Sequence, residues 1–343
     1  MKTAYLISTG HFEVRDNPIP PIKKGQALIA VKSVGICASD VHYFSEGRIG
    51  DQVCRFPQML GHECGGVAHR VFSGSAFREG DRVAVEPGLS CGTCEQCKIG
   101  NEHLCPNVRF LGMPGMPGAF QEFIAVDERQ LSAIPDGMTF HEAALLEPMA
   151  VACHAMGLSR IQSGQSVAIF GAGAIGLCAL AIAKVKGAGE TFVFDTINHR
   201  LEYAKKTYKA DHVVNVQEKD PLEYLFDATR SRGVDISVEA AGAPETFEWA
   251  FSAARAGGKA LIIGIPAIDR VSFDAHSLRR RELLVQNIRR SNGELKECIE
   301  LVHSGKVSIS GLATHHFLIE QIDKAFEIAA GYKDGVIRAM VEM

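Results

Sequence analysis

An α/β protein of two parts, an irregular β domain and a doubly wound parallel sheet, is the fold class this sequence predicts. Three observations carry the prediction. Short β-like runs lie among Gly and Pro residues up to about residue 150; strand and helix patterns alternate from about residue 152; and 343 residues are long for one ordinary core.

In the first part, residues 26–32 (Gln-Ala-Leu-Ile-Ala-Val-Lys) and 80–86 (Gly-Asp-Arg-Val-Ala-Val-Glu) read as strands, and no long amphipathic helix precedes residue 140. In the second, 166–170 is an apolar strand, a Gly-rich turn follows, 175–186 reads as an apolar helix and 190–195 as the next strand. Residues 212–215, 234–239 and 258–264 continue the rhythm, which implies five or six parallel strands. Helices are expected near 292–304 and 319–330, and a last strand near 335–342. That last segment is expected to pack back on the first domain, which then comprises 1–151 and 287–343 around a dinucleotide-binding domain at 152–286.

With 46% hydrophobic and 22% charged residues and a mean hydropathy of +0.04, the composition is that of a soluble globular protein. A net charge of -4 offers no broad attraction to phosphate backbones or anionic membranes, so nucleic acid and membrane are not expected partners. The N-terminal stretch has no apolar signal core, and no run approaches the ~18 apolar residues of a membrane span. A cytoplasmic location is the expectation. Ten cysteines without a secretory signal, four of them between 91 and 105, point to metal binding rather than disulfides.

Gly171-Ala-Gly173-Ala174-Ile175-Gly176 matches G-x-G-x-x-G, a weak signal alone but a strong one between an apolar strand and a helix. Gly171 permits a tight turn, Gly173 a close approach to a pyrophosphate, and Gly176 close helix–strand packing, as in a Rossmann domain. Asp195, nineteen residues after Gly176, is placed to accept hydrogen bonds from the adenosine ribose and to repel a 2′-phosphate. NAD is therefore expected over NADP. The other reading is a plain strand-to-helix turn in which Asp195 caps a helix.

Cys91, Cys94, Cys97 and Cys105 have the spacing C-x2-C-x2-C-x7-C, which suits a closed tetrahedral zinc site. An iron–sulfur cluster or a redox pair is the competing reading. Cys37 with Asp40 and His42, then His62-Glu63, then Glu147 before Pro148 are further ligand-type residues. Each alone reads as a surface or buried structural residue; together they offer the mixed S, N and O donors of an open zinc site.

The run from Val34 to Tyr43, the segment Gly47 to Asp51, Gly61-His62-Glu63, the cysteine lobe, Leu146-Glu147-Pro148 and Gly171 to Gly176 together resemble the zinc-containing medium-chain dehydrogenases. Within that family they are similar to the polyol branch of sorbitol, xylitol and L-iditol dehydrogenases. The resemblance runs over essentially the whole chain. It implies a GroES-like β domain and a Rossmann domain, two zinc ions per chain, NAD, and oxidation of a secondary alcohol of a polyol to a ketose. It implies that Cys37 and His62 ligate the catalytic zinc, with Glu63 or Glu147 as the third ligand, and that Ser39 and His42 relay the substrate proton. It assigns Tyr43, Phe110, Glu147 and Arg289 to the substrate pocket. It adds Arg200, Ala241, Gly264 and Ile265 to the cofactor residues. It further implies a homo-oligomer, a dimer or tetramer. Two other readings stay open: a butanediol or simple secondary-alcohol dehydrogenase of the same family, and a non-catalytic dinucleotide-binding protein.

Overall fold

The computed structural model describes all residues, 1–343. The chain divides into two units, Met1–Glu147 with Asn292–Met343, and Pro148–Ser291. The division falls inside the helix Phe140–Ser159, which carries Pro148 in its interior. No helix is long and apolar enough to cross a membrane.

The first unit is built on an irregular sheet. Its strands run in the order Leu131–Ala133, Arg82–Val85, Glu63–Arg70, Gln26–Gly35, Arg338–Glu342 and Ala313–Leu318, with Phe123–Asp127 also pairing Gln26–Gly35. The strand Gln26–Gly35 is central because Ala27, Leu28, Ile29, Val31 and Val34 are all buried, an apolar run suited to cover on both sides. Arg338–Glu342 lies antiparallel to it, with Met340 opposite Gly35 and Glu342 opposite Ser33. The C-terminal segment thus completes the sheet that the N-terminal half begins. Phe12, Phe44 and Phe120 gather around Phe326 with ring centroids 4.7, 5.1 and 5.6 Å from it, a cluster that ties the helix Ile322–Ala330 to this core.

The second unit is a six-stranded parallel sheet in the order His212–Asn215, Thr191–Asp195, Val167–Phe170, Val234–Glu239, Ala254–Ile262 and Leu284–Asn287. Strand order reverses beside Val167–Phe170, so a crevice opens at the carboxyl ends of this strand and of Val234–Glu239. All four residues of Val167–Phe170 are fully buried, as expected for a strand covered by helices on both faces.

At the opposite, amino-terminal edge of this sheet, Asp235 accepts hydrogen bonds from Ser166 N (3.0 Å) and Oγ (2.9 Å), Arg232 Nη2 (2.8 Å) and Arg255 Nε (2.7 Å). Burial pushes its carboxyl upward, but the two guanidiniums and Ser166 outweigh this and hold it well below the usual carboxylate range. A depressed carboxylate contributes stability above its unfolded pKa of about 3.9, and the contribution is lost as pH falls through the folded value. Asp235→Asn is therefore expected to cost about 1–3 kcal/mol at neutral pH, and to flatten the loss of stability on acidification below about pH 4. Urea melts of both proteins across that range measure this; equal acid slopes would dismiss the assignment.

Candidate active site

The strand Gln26–Gly35 ends at Ile36 and the chain turns at Cys37, the N-cap of the helix Ala38–Glu46. Asp40, at the third helical position, accepts a hydrogen bond from Cys37 N (3.1 Å) through one oxygen and from Gly61 N (3.1 Å) through the other. The second oxygen also stands 3.6 Å from His62 Nδ1. One buried carboxylate thus holds both Cys37 and His62 in place, and leaves the other nitrogen of His62 free to ligate.

Cross-strand register pairs Gly35 with Glu63. A Cβ at position 35 would come 2.3 Å from Glu63 Oε2, so the missing side chain of Gly35 is what makes room for the carboxylate. Cys37, His62 and Glu63 then present one donor atom each within 4.8 Å of one another. Glu63 is fully buried, and its Oε2 has no hydrogen-bond partner in the protein. A buried carboxylate oxygen in that state requires a cation or a proton. The residues therefore fit a zinc ion held by sulfur, nitrogen and oxygen.

Glu63 is not left alone with its charge. Arg338 Nη2 lies 3.1 Å from Glu63 Oε1, and Arg338 Nη1 donates to Ile36 O at 2.7 Å. Burial raises the Glu63 carboxyl above its usual range, and the Arg338 charge opposes that rise. Arg338 is not paired with Glu63 by sequence alone, because most of the chain separates them. Its only signal is a single charge within the apolar run Val336-Ile-Arg338-Ala-Met-Val341.

Glu147, on the helix Phe140–Ser159, is buried but stands outside the three-donor group. Burial pushes its carboxyl up to about 8, with His62 opposing the rise and Glu63 and Glu86 adding to it. Ser39 and His42 both lie on the helix Ala38–Glu46 and are half-buried; His42 Nδ1 faces Glu46 Oε1 at 3.2 Å. Tyr43 is buried and donates its hydroxyl to Gln52 Oε1 at 3.0 Å, while the Phe110 ring stands 5.4 Å from the His62 ring. Arg289 is exposed and belongs to the second unit.

The four cysteines of the 91–105 loop also converge. All their sulfurs lie within 4.8 Å of one another, with Cys91 to Cys97 at 4.0 Å and Cys94 to Cys97 at 3.4 Å. Thiolates about 2.3 Å from a tetrahedral zinc stand roughly 3.8 Å apart, so the loop is close to the shape one ion needs. The short helix Glu95–Lys98 and the 3-10 turn Glu102–Leu104 set the spacing. The N–H of Thr93, then its hydroxyl and the N–H of Cys94, pull the Cys91 thiol down to about 5; at Cys94 the Cys97 N–H lowers the thiol, but burial and the neighbouring sulfurs push it up to about 11, so the four thiols titrate as one set.

In the second unit, Gly171 has φ +105°, and a Cβ on Gly176 would fall 1.8 Å from Gly171 O, so the turn and the helix Ala174–Val185 meet backbone to backbone. Gly173 caps that helix, and the nearest atom to a Cβ there is Arg200 Nη1 at 3.9 Å, which leaves space for a phosphate above the free N–H groups. Of its neighbours, Ala174 is buried and Ile175 half-buried. Asp195 closes the strand Thr191–Asp195 and accepts from Ala172 N (2.6 Å) and Ile197 N (2.9 Å), so it also braces the turn. Across the crevice, the Glu239 carboxylate accepts from Ala241 N, Gly242 N and Thr246 Oγ1, and a Cβ on Gly264 would meet Glu239 Oε2 at 2.3 Å. Ala241, Gly264 and Ile265 therefore sit on two interlocked strand-end turns.

Residues 23–136 match the alcohol dehydrogenase GroES-like domain, and residues 174–304 match the zinc-binding dehydrogenase domain. The sorbitol dehydrogenase of Bacillus subtilis (strain 168) is 40% identical over 342 residues, 99% of this chain and 97% of the relative. The chain belongs to the zinc-binding dehydrogenase family.

D-xylulose reductase A of Aspergillus oryzae (strain ATCC 42149 / RIB 40) is 35% identical over 92% of this chain and 90% of its own. Among solved structures, an alcohol dehydrogenase (rspB) from Escherichia coli CFT073 complexed with NADH superposes with a TM-score of 0.90 at 26% identity, covering 100% of this chain and 99% of the other. This zinc-binding dehydrogenase is an oxidoreductase of CH–OH groups with a GroES-like domain and a Rossmann domain, as the sequence resemblance implies. The two family matches fall one in each structural unit except for residues 292–304, which lie in the first.

Proposed function

We propose that this dehydrogenase oxidises a secondary hydroxyl of a polyol to the ketone of a ketose and delivers the hydride to NAD. The observation that carries the reading is the convergence of Cys37, His62 and the unpartnered oxygen of Glu63. These three would hold a catalytic zinc, and the four-cysteine loop a structural one. A zinc ion bound there supplies the Lewis-acid charge that lowers the pKa of an alcohol's hydroxyl.

The rest falls to the chain's own groups. Asp40 and Arg338 hold the donors in place, Asp40 through Cys37 N, Gly61 N and His62, Arg338 through Glu63 and the Ile36 carbonyl. Ser39 takes the hydroxyl proton, and His42, one helical turn on, carries it outward. Glu147, whose carboxyl burial raises and whose charge couples to His62 and Glu63, is the second carboxylate of the site. Asp195 disfavours the additional phosphate of NADP, and Arg200 beside Gly173 offers a positive charge to the pyrophosphate or ribose. All ten cysteines are free of disulfides, which supports a reducing, cytoplasmic setting.

The substrate class rests on the sorbitol and xylulose relatives. A panel of sorbitol, xylitol, galactitol and 2,3-butanediol with NAD and NADP tests it. A polyol with NAD is expected to give the highest kcat/KM, and preference for butanediol would replace the polyol reading. The purified enzyme is expected to hold about two zinc ions per chain, falling to about one in Cys94→Ser/Cys97→Ser. A single zinc in the wild-type protein, with activity retained, would remove the loop from the zinc count.

A further inference from the structure

We propose that His141, His316 and Glu342 form a third metal site on the first unit, separate from both donor sets above, that takes a divalent transition cation such as zinc. Their donor atoms lie within 4.8 Å of one another. None belongs to the three-donor group or to the cysteine loop.

Three elements build the site. His141 is in the first turn of the helix Phe140–Ser159; His316 is on Ala313–Leu318 at the sheet edge; Glu342 ends the neighbouring strand. Register explains the meeting. Leu318 pairs with Glu342 and His316 with Met340 in the parallel strand pair, while Ser33 stands opposite Glu342 on the other side. One carboxylate oxygen, Glu342 Oε1, is common to both imidazoles, at 3.5 Å from His141 Nε2 and 3.3 Å from His316 Nδ1. Nitrogen and oxygen donors about 2.0–2.1 Å from a tetrahedral ion stand roughly 3.4 Å apart, which matches both separations.

The ring of His141 is also oriented. Ser33 Oγ lies 2.9 Å from His141 Nδ1, which engages that nitrogen and aims Nε2 at Glu342. A second hydrogen-bonding partner on the far nitrogen is the usual support of a metal-bound imidazole. The two rings are in contact, with centroids 4.5 Å apart and planes inclined by 61°. Side-chain exposures of 32%, 43% and 38% leave the fourth position to water and give the ion a route in. Two histidines and one carboxylate with an open position are a zinc-type donor set.

The test is calorimetric titration of the zinc-loaded holoenzyme with Zn²⁺, alongside His316→Ala and Glu342→Gln, neither in the proposed catalytic machinery. The wild type is expected to bind one further equivalent per chain, and each variant to lose it. Ser33→Ala is expected to weaken it roughly 10-fold through the freed His141 ring. Wild-type activity in the variants, with unchanged circular dichroism, shows that they remain folded. Absence of the further equivalent in the wild type, or its persistence in both variants, overturns the proposal. A rise in Tm with added Zn²⁺ in the wild type but not in His316→Ala is the second readout.

Discussion

Cys37→Ala is expected to lower kcat by about 10³-fold or more while NADH binding stays within twofold of wild type. Lewis-acid stabilisation is worth several kcal/mol, and each ~1.4 kcal/mol is a factor of ten in rate. Removing the sulfur leaves His62 and Glu63 as the remaining members of the three-donor group, and an open site needs three protein ligands. The dinucleotide turn of Gly171, Gly173 and Gly176 lies in the other unit and keeps its own supports, so fluorescence titration with NADH isolates the defect to chemistry. A metal assay completes the measurement: zinc is expected to fall from about two to about one per chain. Turnover within tenfold of wild type would refute the role given to Cys37.

Arg338→Met is expected to destabilise the zinc-free protein by about 3–5 kcal/mol, a large share of the ~5–15 kcal/mol that holds a domain folded. The substitution keeps the length of the aliphatic stem. It removes the guanidinium that stands 3.1 Å from Glu63 Oε1 and donates to Ile36 O. Glu63 is then a fully buried carboxylate without its cation, and Ile36 O loses its donor. Adding Glu63→Gln to the same chain removes the uncompensated charge and is expected to recover part of the loss, which a double-mutant cycle reads directly. Zinc is expected to narrow the deficit, since a bound cation compensates the same carboxylate. Equal urea midpoints for wild type and Arg338→Met would show that the pair carries no net stability.

Much of this molecule is local, and local features are legible. The parallel sheet of the second unit follows from apolar strand-length runs alternating with helices, and Gly171 to Gly176 announces its own turn because a Cβ at 176 has nowhere to go. The four-cysteine loop is equally readable: all its donors lie within fifteen residues, so spacing alone nearly defines the shape. The helix Phe140–Ser159 is harder to read from sequence. It is almost wholly apolar on every side over its middle and carries Pro148, which normally marks a helix boundary, so neither periodicity nor a breaker rule finds it.

Sequence by itself determined the donor types: Cys37, His62, two candidate carboxylates, four clustered thiols, and a strand-end Asp195 after a glycine turn. Tertiary structure alone decided which of them meet. Glu63 rather than Glu147 joins Cys37 and His62, because strand register sets Glu63 over a glycine; Arg338 reaches Glu63, and His316 reaches His141, through a C-terminal strand that pairs with residues 33–35. A side chain's chemistry is written at its own position, whereas register is a cooperative property of whole strands. A shift of one residue would turn each of these groups to the opposite face of the sheet.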